Sequence, residues 1–147
     1  MPKFAIKQSI QSPVEDVFAF MDEFKNDTLW RTAEMHKISD GPAGIGQTYV
    51  EVRTIMGKQL EGPVIITEYA PNQNFTFERT SGPIRPRGTY LFESITLGTK
   101  LTLILDVPLR GGWKLATPLV ALLLTIVKRG AAKELARLKQ VLEVPNL

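Results

Sequence analysis

TPLVALLLTIVKRGAAKELARLKQVLE, residues Thr117 to Glu143, is the stretch whose reading decides the fold. Thr117 suits an N-cap, and Pro118 suits the first helical position, where a missing N–H costs nothing. No further proline occurs until Pro145, so the pattern predicts roughly seven turns, a rod of about 40 Å. Val120, Leu124, Val127, Ala131, Leu135, Leu138 and Leu142 recur at steps of three or four and share one face. Such a stripe needs an apolar surface to lie on. In the first half Leu119, Leu122, Leu123 and Ile126 fall roughly opposite that stripe, so this half is apolar all round. Helices of that kind are normally covered on every side. The four residues therefore predict a second partner, foremost another copy of the chain in a homodimer. The alternatives are the Trp113 loop folded over them, or peripheral contact with a lipid surface gripped with Lys114, Lys128 and Arg129.

Upstream, strands provide the surface. Lys3 to Gln11 alternates, with Phe4, Ile6, Gln8 and Ile10 on one side. Ser12-Pro13-Val14-Glu15 matches a capping box with Pro13 at the first helical position, and Val14, Val17, Phe18 and Met21 give the helix an apolar side. A second short helix is expected over Phe24 to Arg31, and a short strand over Met35 to Ile38. Asp40 to Gly46 is glycine-rich but lacks the lysine and hydroxyl of a phosphate loop, and strands follow it, so it reads as a connector or gate. Gln47 to Ile55 and Lys58 to Tyr69 pair through Met56-Gly57; Asn74 to Thr80 follows the turn Ala70-Pro71-Asn72-Gln73. Arg87 to Ser94 and Thr99 to Leu109 form the last pair, turning at Leu97-Gly98. Strands grouped together with helices set apart indicate an α+β domain, with about six or seven antiparallel strands curling around the last helix.

Composition narrows the function classes. At 147 residues the chain is expected to be one domain, 1–147, with ordinary globular content: 44% hydrophobic and 22% charged. It has no cysteine, which removes disulfide and thiolate chemistry and fits a reducing, cytoplasmic setting. Met1 to Phe4 lacks the apolar run of a signal peptide. The longest apolar run, Leu115 to Val127, is interrupted by Thr117, Pro118 and Thr125 and is too short to span a membrane, which needs about 20 residues. Net charge is +3, yet Lys128, Arg129, Lys133, Arg137 and Lys139 spread around a helix rather than interleave with aromatics, which argues against nucleic acid.

At this point the chain resembles a family. Ser12-Pro13-Val14-Glu15-Asp16-Val17-Phe18 with Asp22 and Trp30, then Gly44-Ile45-Gly46-Gln47-Thr48-Tyr49, then Glu68-Tyr69-Ala70-Pro71-Asn72-Gln73-Asn74-Phe75, Gly98-Thr99-Lys100-Leu101 and Leu135-Ala136-Arg137-Leu138-Lys139 occur in the order of the START-like (SRPBCC) superfamily, in its polyketide cyclase/dehydrase branch. The resemblance covers essentially the whole chain and implies a helix-grip fold. It also implies a hydrophobic tunnel between sheet and last helix, used for lipids, polyketides, hormones or other apolar molecules. It carries no fixed catalytic residue, and fold does not imply function.

The chemistry-bearing residues point the same way. His36 is the only histidine, so neither a metal site nor a catalytic triad can be assembled around it, and no cofactor is expected. Phe75 and Phe77 facing the core place Arg79 on their side and Glu78 opposite. Tyr90 and Phe92 leave Glu93 outward, and Leu101, Leu103 and Leu105 leave Asp106 outward. Tyr49, Glu51 and Arg53 share a face, but Val50 and Val52 compete for the interior, so two registers stay open. If the first set faces inward, a Glu–Arg pair could orient a polar ligand head or do acid–base work; otherwise it is a surface charge pair. Phe20, Phe24, Trp30, Tyr49, Phe77, Tyr90 and Phe92, with Leu124 and Val127 of the helix, either wall a pocket or fill a core. The sequence therefore predicts binding of a hydrophobic small molecule without catalysis. The alternative is a cyclase, aromatase or dehydratase using pocket Tyr, Arg or Glu.

Overall fold

The computed structural model describes residues 3–23, 26–31, 33–37, 44–55, 57–81, 85–107 and 117–143, with backbone alone at a few positions inside these elements. The chain order is β1 (Lys3–Ile10), α1 (Val14–Asp22), α2 (Asp27–Trp30), β2 (Ala33–Lys37), β3 (Thr48–Ile55), β4 (Lys58–Ala70), β5 (Asn74–Arg79), β6 (Arg87–Ile95), β7 (Gly98–Asp106) and α3 (Thr117–Glu143). All seven strands form one antiparallel sheet in the order β1-β7-β6-β5-β4-β3-β2. α1 and α2 thus carry the chain from one edge of the sheet to the other, and the strands then return by hairpins until β7 meets β1. This is the α+β helix-grip architecture, a curved antiparallel sheet holding a long C-terminal helix.

Local chemistry differs from expectation in two places. Pro13 is the N-cap of α1 itself, in extended conformation (φ −58°, ψ 149°), and no side chain caps the helix. The capping box fails because Ser12 lies one residue before the cap and Glu15 is the second helical residue rather than the third; the Ser12 carbonyl accepts from Thr99 Oγ1 at 2.8 Å, tying the start of α1 to β7. The turn between β6 and β7 is Thr96-Leu97, since Ile95 pairs with Gly98 and Gly98 already belongs to β7. The expected Met56-Gly57 turn is half visible: Ile55 pairs with Lys58 and Gly57 has φ +81°, while Met56 lies outside the described residues. Asp40 to Ala43 of the glycine-rich loop also lie outside them.

A bulge in β4 decides what the concave face presents. The pairing with β5 shifts between Ile66 and Glu68, so the inward alternation Gly62, Val64, Ile66 resumes at Tyr69 instead of Glu68. Glu68 turns outward, where it accepts from exposed Arg87 at 2.6 Å. Tyr69 turns inward, with its ring centroid 5.7 Å from that of Phe18.

α3 packs against β1 and α2. Its Leu135 and Leu138 join Ile10, Val17, Phe18, Met21, Trp30, Phe75, Tyr90, Phe92, Leu101 and Leu103 in one core. Each such side chain contributes about 1.5–3 kcal/mol by leaving water. Two bonds tie the end of α3 to the β1 region: Gln11 N–H donates to Glu143 at 2.8 Å, and Lys139 Nζ donates to the Ser9 carbonyl at 3.1 Å. The first half of the predicted stripe behaves differently. Leu124 and Val127 are only half-buried, and on the opposite side Leu122 (58%) and Ile126 (49%) stay exposed. The side chains of Leu119 and Leu123 lie outside the described residues.

Candidate functional site: a buried ring of charges beside an aromatic wall

The register of β3 is settled by burial. Tyr49 and Glu51 are buried on the inward face with Arg53 beside them, and Val50 and Val52 take the other side. Glu51 does not form the simple pair with Arg53 that the sequence suggests. Its Oε2 accepts from Arg31 Nη2 at 2.7 Å, while Arg53 Nε stands 3.7 Å from Oε1. Glu134, on α3, completes the arrangement: Arg53 Nη1 donates to its Oε2 at 3.2 Å, and Arg31 Nε lies 3.8 Å from its Oε1. Arg31, Glu51, Arg53 and Glu134 therefore alternate in sign around a closed ring. The ring joins the residue after α2, the middle of β3 and the second half of α3.

Arg31, Glu51 and Glu134 are buried, while the Arg53 side chain keeps 26% of its surface exposed. Burial pushes the Glu51 carboxyl upward, but Arg31, Arg53 and more distant Arg79 outweigh it and hold the group below the usual carboxylate range. The Arg31 guanidinium carbon also lies 5.8 Å from the ring centroid of Trp30 and 5.9 Å from that of Phe77. Charges and aromatics thus share one wall.

Two glycines shape that wall. Gly88 pairs with Phe77, and a methyl at Gly88 would collide with the Phe77 ring. Gly62 pairs with Glu51, and a methyl there would collide with the Arg79 guanidinium. Phe77 and Arg79 accordingly lie flat on the backbone of a neighbouring strand, as glycine in a strand permits.

A second polar group sits across the concave face. Tyr69 donates its phenolic hydrogen to Asp22 Oδ2 at 3.0 Å. Burial, the bond to Asp22 and its negative charge push Tyr69 up to about 12. Burial raises Asp22, the Tyr69 hydrogen bond opposes this, and neighbouring Glu23 adds to the rise.

Of the residues singled out from sequence, Trp30, Tyr49, Tyr90 and Phe92 are buried, and Phe20, Phe77, Arg79, Leu124 and Val127 are half-buried. Phe24 lies outside the described residues. Tyr90 is the hinge of the aromatic set, with ring centroids 6.2 Å from Trp30, 5.9 Å from Phe77 and 5.1 Å from Phe75. Phe92 instead packs edge-on against Phe18 at 5.0 Å, within the core. His36 is exposed on β2. Among the described residues no cluster of His, Cys, Asp and Glu could hold a metal, and no helix is long and apolar enough to cross a membrane. Sequence reasoning missed Arg31, Glu134 and the Asp22–Tyr69 pair. Glu134 had a signal: it follows Ala131 by three and precedes Leu138 by four, a charged residue set within the apolar stripe.

Neither a family model nor a curated protein matches the chain. Solved structures do. The protein TTHA0849 from Thermus thermophilus superposes with a TM-score of 0.76 at 19% identity, over 95% of each chain. The di-domain ARO/CYC protein BexL from the BE-7585A biosynthetic pathway gives 0.79 at 16% identity, over 99% of this chain and 51% of BexL, so this chain spans about half of it. Ara h 8.0201 gives 0.73 at 12% identity, over 96% of this chain and 97% of that one. At these identities the likeness is one of fold, and the fold shared is the helix grip.

Proposed function

We propose that this chain binds a hydrophobic small molecule, such as a lipid or polyketide, between the concave face and α3. One observation carries the reading. Inward-facing Tyr69, Phe77, Arg53 and Arg79, with Leu124 and Val127 of α3, remain half-exposed, while Phe75, Tyr90 and Leu103 beside them are sealed. Inward side chains that still meet solvent are what a lined cleft produces and a filled core does not. The charge ring supports the same reading, because buried ion pairs are poor stabilisers compared with apolar side chains of similar volume. The ARO/CYC label on BexL is a further support from fold. Titration with the neutral fluorescent probe N-phenyl-1-naphthylamine, alongside native mass spectrometry of the purified protein, tests it. Saturable binding or a retained apolar guest is the expected result; neither appearing would refute it.

Asp22–Tyr69 favours a second reading, an acid–base enzyme of the cyclase, aromatase or dehydratase kind. There a carboxyl raised by burial and bonded to a phenol would exchange protons with a bound polyketone. We further take exposed Leu122 and Ile126 as the seat of a second copy in a homodimer, in a cytoplasmic setting. Leu122→Glu with Ile126→Glu should then halve the mass seen by light scattering. An unchanged mass, with wild-type protein sedimenting with liposomes, would point to peripheral membrane contact instead.

A further inference from the structure

The charge ring balances itself: two guanidiniums, Arg31 and Arg53, face two carboxylates, Glu51 and Glu134. Arg79 stands outside that balance. Its alternation with Phe75 and Phe77 places it on the inward face, and its guanidinium lies over Gly62, whose cross-strand partner is Glu51. It is half-buried and forms no ion pair within 4.0 Å among the described residues.

Geometry shows that this placement is built in. Glycine in the middle of a strand is unfavourable relative to alanine, and Gly62 is buried within β4. Its positive use is to seat the guanidinium, as Gly88 seats the Phe77 ring. The five donors of Arg79 are thereby held against the backbone of β4, opposite the strand residue Glu51. The local sum over Arg31, Arg53, Arg79, Glu51 and Glu134 is one positive charge in excess. A monoanion neutralises one charge, and a carboxylate matches the planar fork of arginine in two parallel hydrogen bonds. A phosphomonoester, near two negative charges, would overshoot.

Resting on the reading of an apolar guest, we infer that the guest is a carboxylate-headed amphiphile and that Arg79 binds its head, with the apolar body along Phe77, Tyr69 and the half-buried face of α3. The ring serves as the rigid wall that keeps Glu51 from capturing Arg79: its oxygens are already engaged by Arg31 and Arg53.

The test uses cis-parinaric acid and its methyl ester, which share an apolar body and differ in charge. Fluorescence titration of the wild-type protein at mildly alkaline pH should show the acid binding about tenfold tighter than the ester, the scale of one charge-assisted hydrogen bond. Arg79→Gln should abolish that preference, read as the ratio of acid to ester affinity in the same variant, and Arg79→Lys should keep part of it. Equal binding of acid and ester to wild type, or a preference that survives Arg79→Gln, overturns the inference. Binding of N-phenyl-1-naphthylamine and ester without any acid preference overturns it alone. Failure of all three probes removes the apolar-guest reading together with it.

Discussion

The two ends of the concave face belong to one sheet and behave oppositely. Toward β1, β7 and the middle of β6, inward residues are Leu101, Leu103, Tyr90 and Phe92, closed over by Phe18 of α1 and by Leu135 and Leu138 of α3. Toward β3, β4 and the end of β5 the buried Tyr49, Val64 and Ile66 share the inner face with Glu51, Arg53 and Arg79, and Gly62 seats the last of these. The first end removes apolar surface from water and carries stability. The second holds charges in a region of low dielectric, where desolvation opposes their attraction. A fold that needed only a core would have continued the leucines. The contrast supports placing the proposed site at the end where the packing rule is broken.

The sharpest way to break the comparison is to damage each end in turn. Phe18→Ala should cost about 3–5 kcal/mol, as large-to-small changes at buried aromatics do, because Phe18 meets Tyr69, Phe75 and Phe92 edge-on. Chemical denaturation should show the full loss with cooperativity retained. Glu51→Gln should come next, at about 3 kcal/mol, since it leaves Arg31 buried without its closest anion. In a domain of this size that corresponds to roughly 6–12 °C in Tm. The pH dependence separates the two variants. Glu51 is held below its unfolded value, so its contribution is complete above the ordinary carboxylate range and is lost as pH falls through the lower folded value. Glu51→Gln should therefore flatten the acid limb of the stability curve, and Phe18→Ala should shift the whole curve without changing its shape.

How far these ends were legible in the sequence follows from the kind of interaction each uses. Periodicity located α3 to within one residue, the helix starting at Thr117 rather than Pro118, and put Leu135 and Leu138 in the core, because apolar spacing is a local pattern. It also placed Arg79 inward with Phe75 and Phe77. It did not choose the register of β3, where Tyr49-Glu51-Arg53 and Val50-Val52 are both credible inner faces. The decision there is made by residues distant in sequence: Arg31 compensates Glu51 and so permits its burial, and Glu134 balances Arg53. The bulge at Thr67 was invisible for the same reason: nothing local announces the slip that exchanges Glu68 for Tyr69 on the inner face. Ser12 failed as a cap because the helix begins one residue later than the capping box requires, with Pro13 at the cap.

Smaller substitutions sharpen the comparison. Gly88→Ala forces the Phe77 ring to move, and a ring packed against Tyr90 has little freedom, so about 1–3 kcal/mol of overpacking is expected. Gly62→Ala meets only the flexible end of Arg79. Its stability cost should be the smaller of the two by calorimetry, yet it should weaken discrimination between acid and ester because the guanidinium has lost its seat. A larger stability loss at Gly62 than at Gly88 would mean that Arg79 is a structural prop.

The smallest effect concerns Tyr69. With its phenol pushed up to about 12, Tyr69 stays protonated while the unfolded chain would ionise near pH 10. A raised folded value means the contribution is complete below the unfolded value and disappears as pH climbs through the folded one. Absorbance titration of tyrosinate should then show a step near 12 that is absent from Tyr69→Phe. In that variant Asp22 loses the bond that lowers it, so its carboxyl should rise further from the ordinary range, readable by carboxyl-carbon NMR. A Tyr69 that ionises with free tyrosine would show the hydroxyl open to water and would detach the Asp22–Tyr69 pair from the acid–base reading, leaving the charge ring and Arg79 as the chemistry of the concave face.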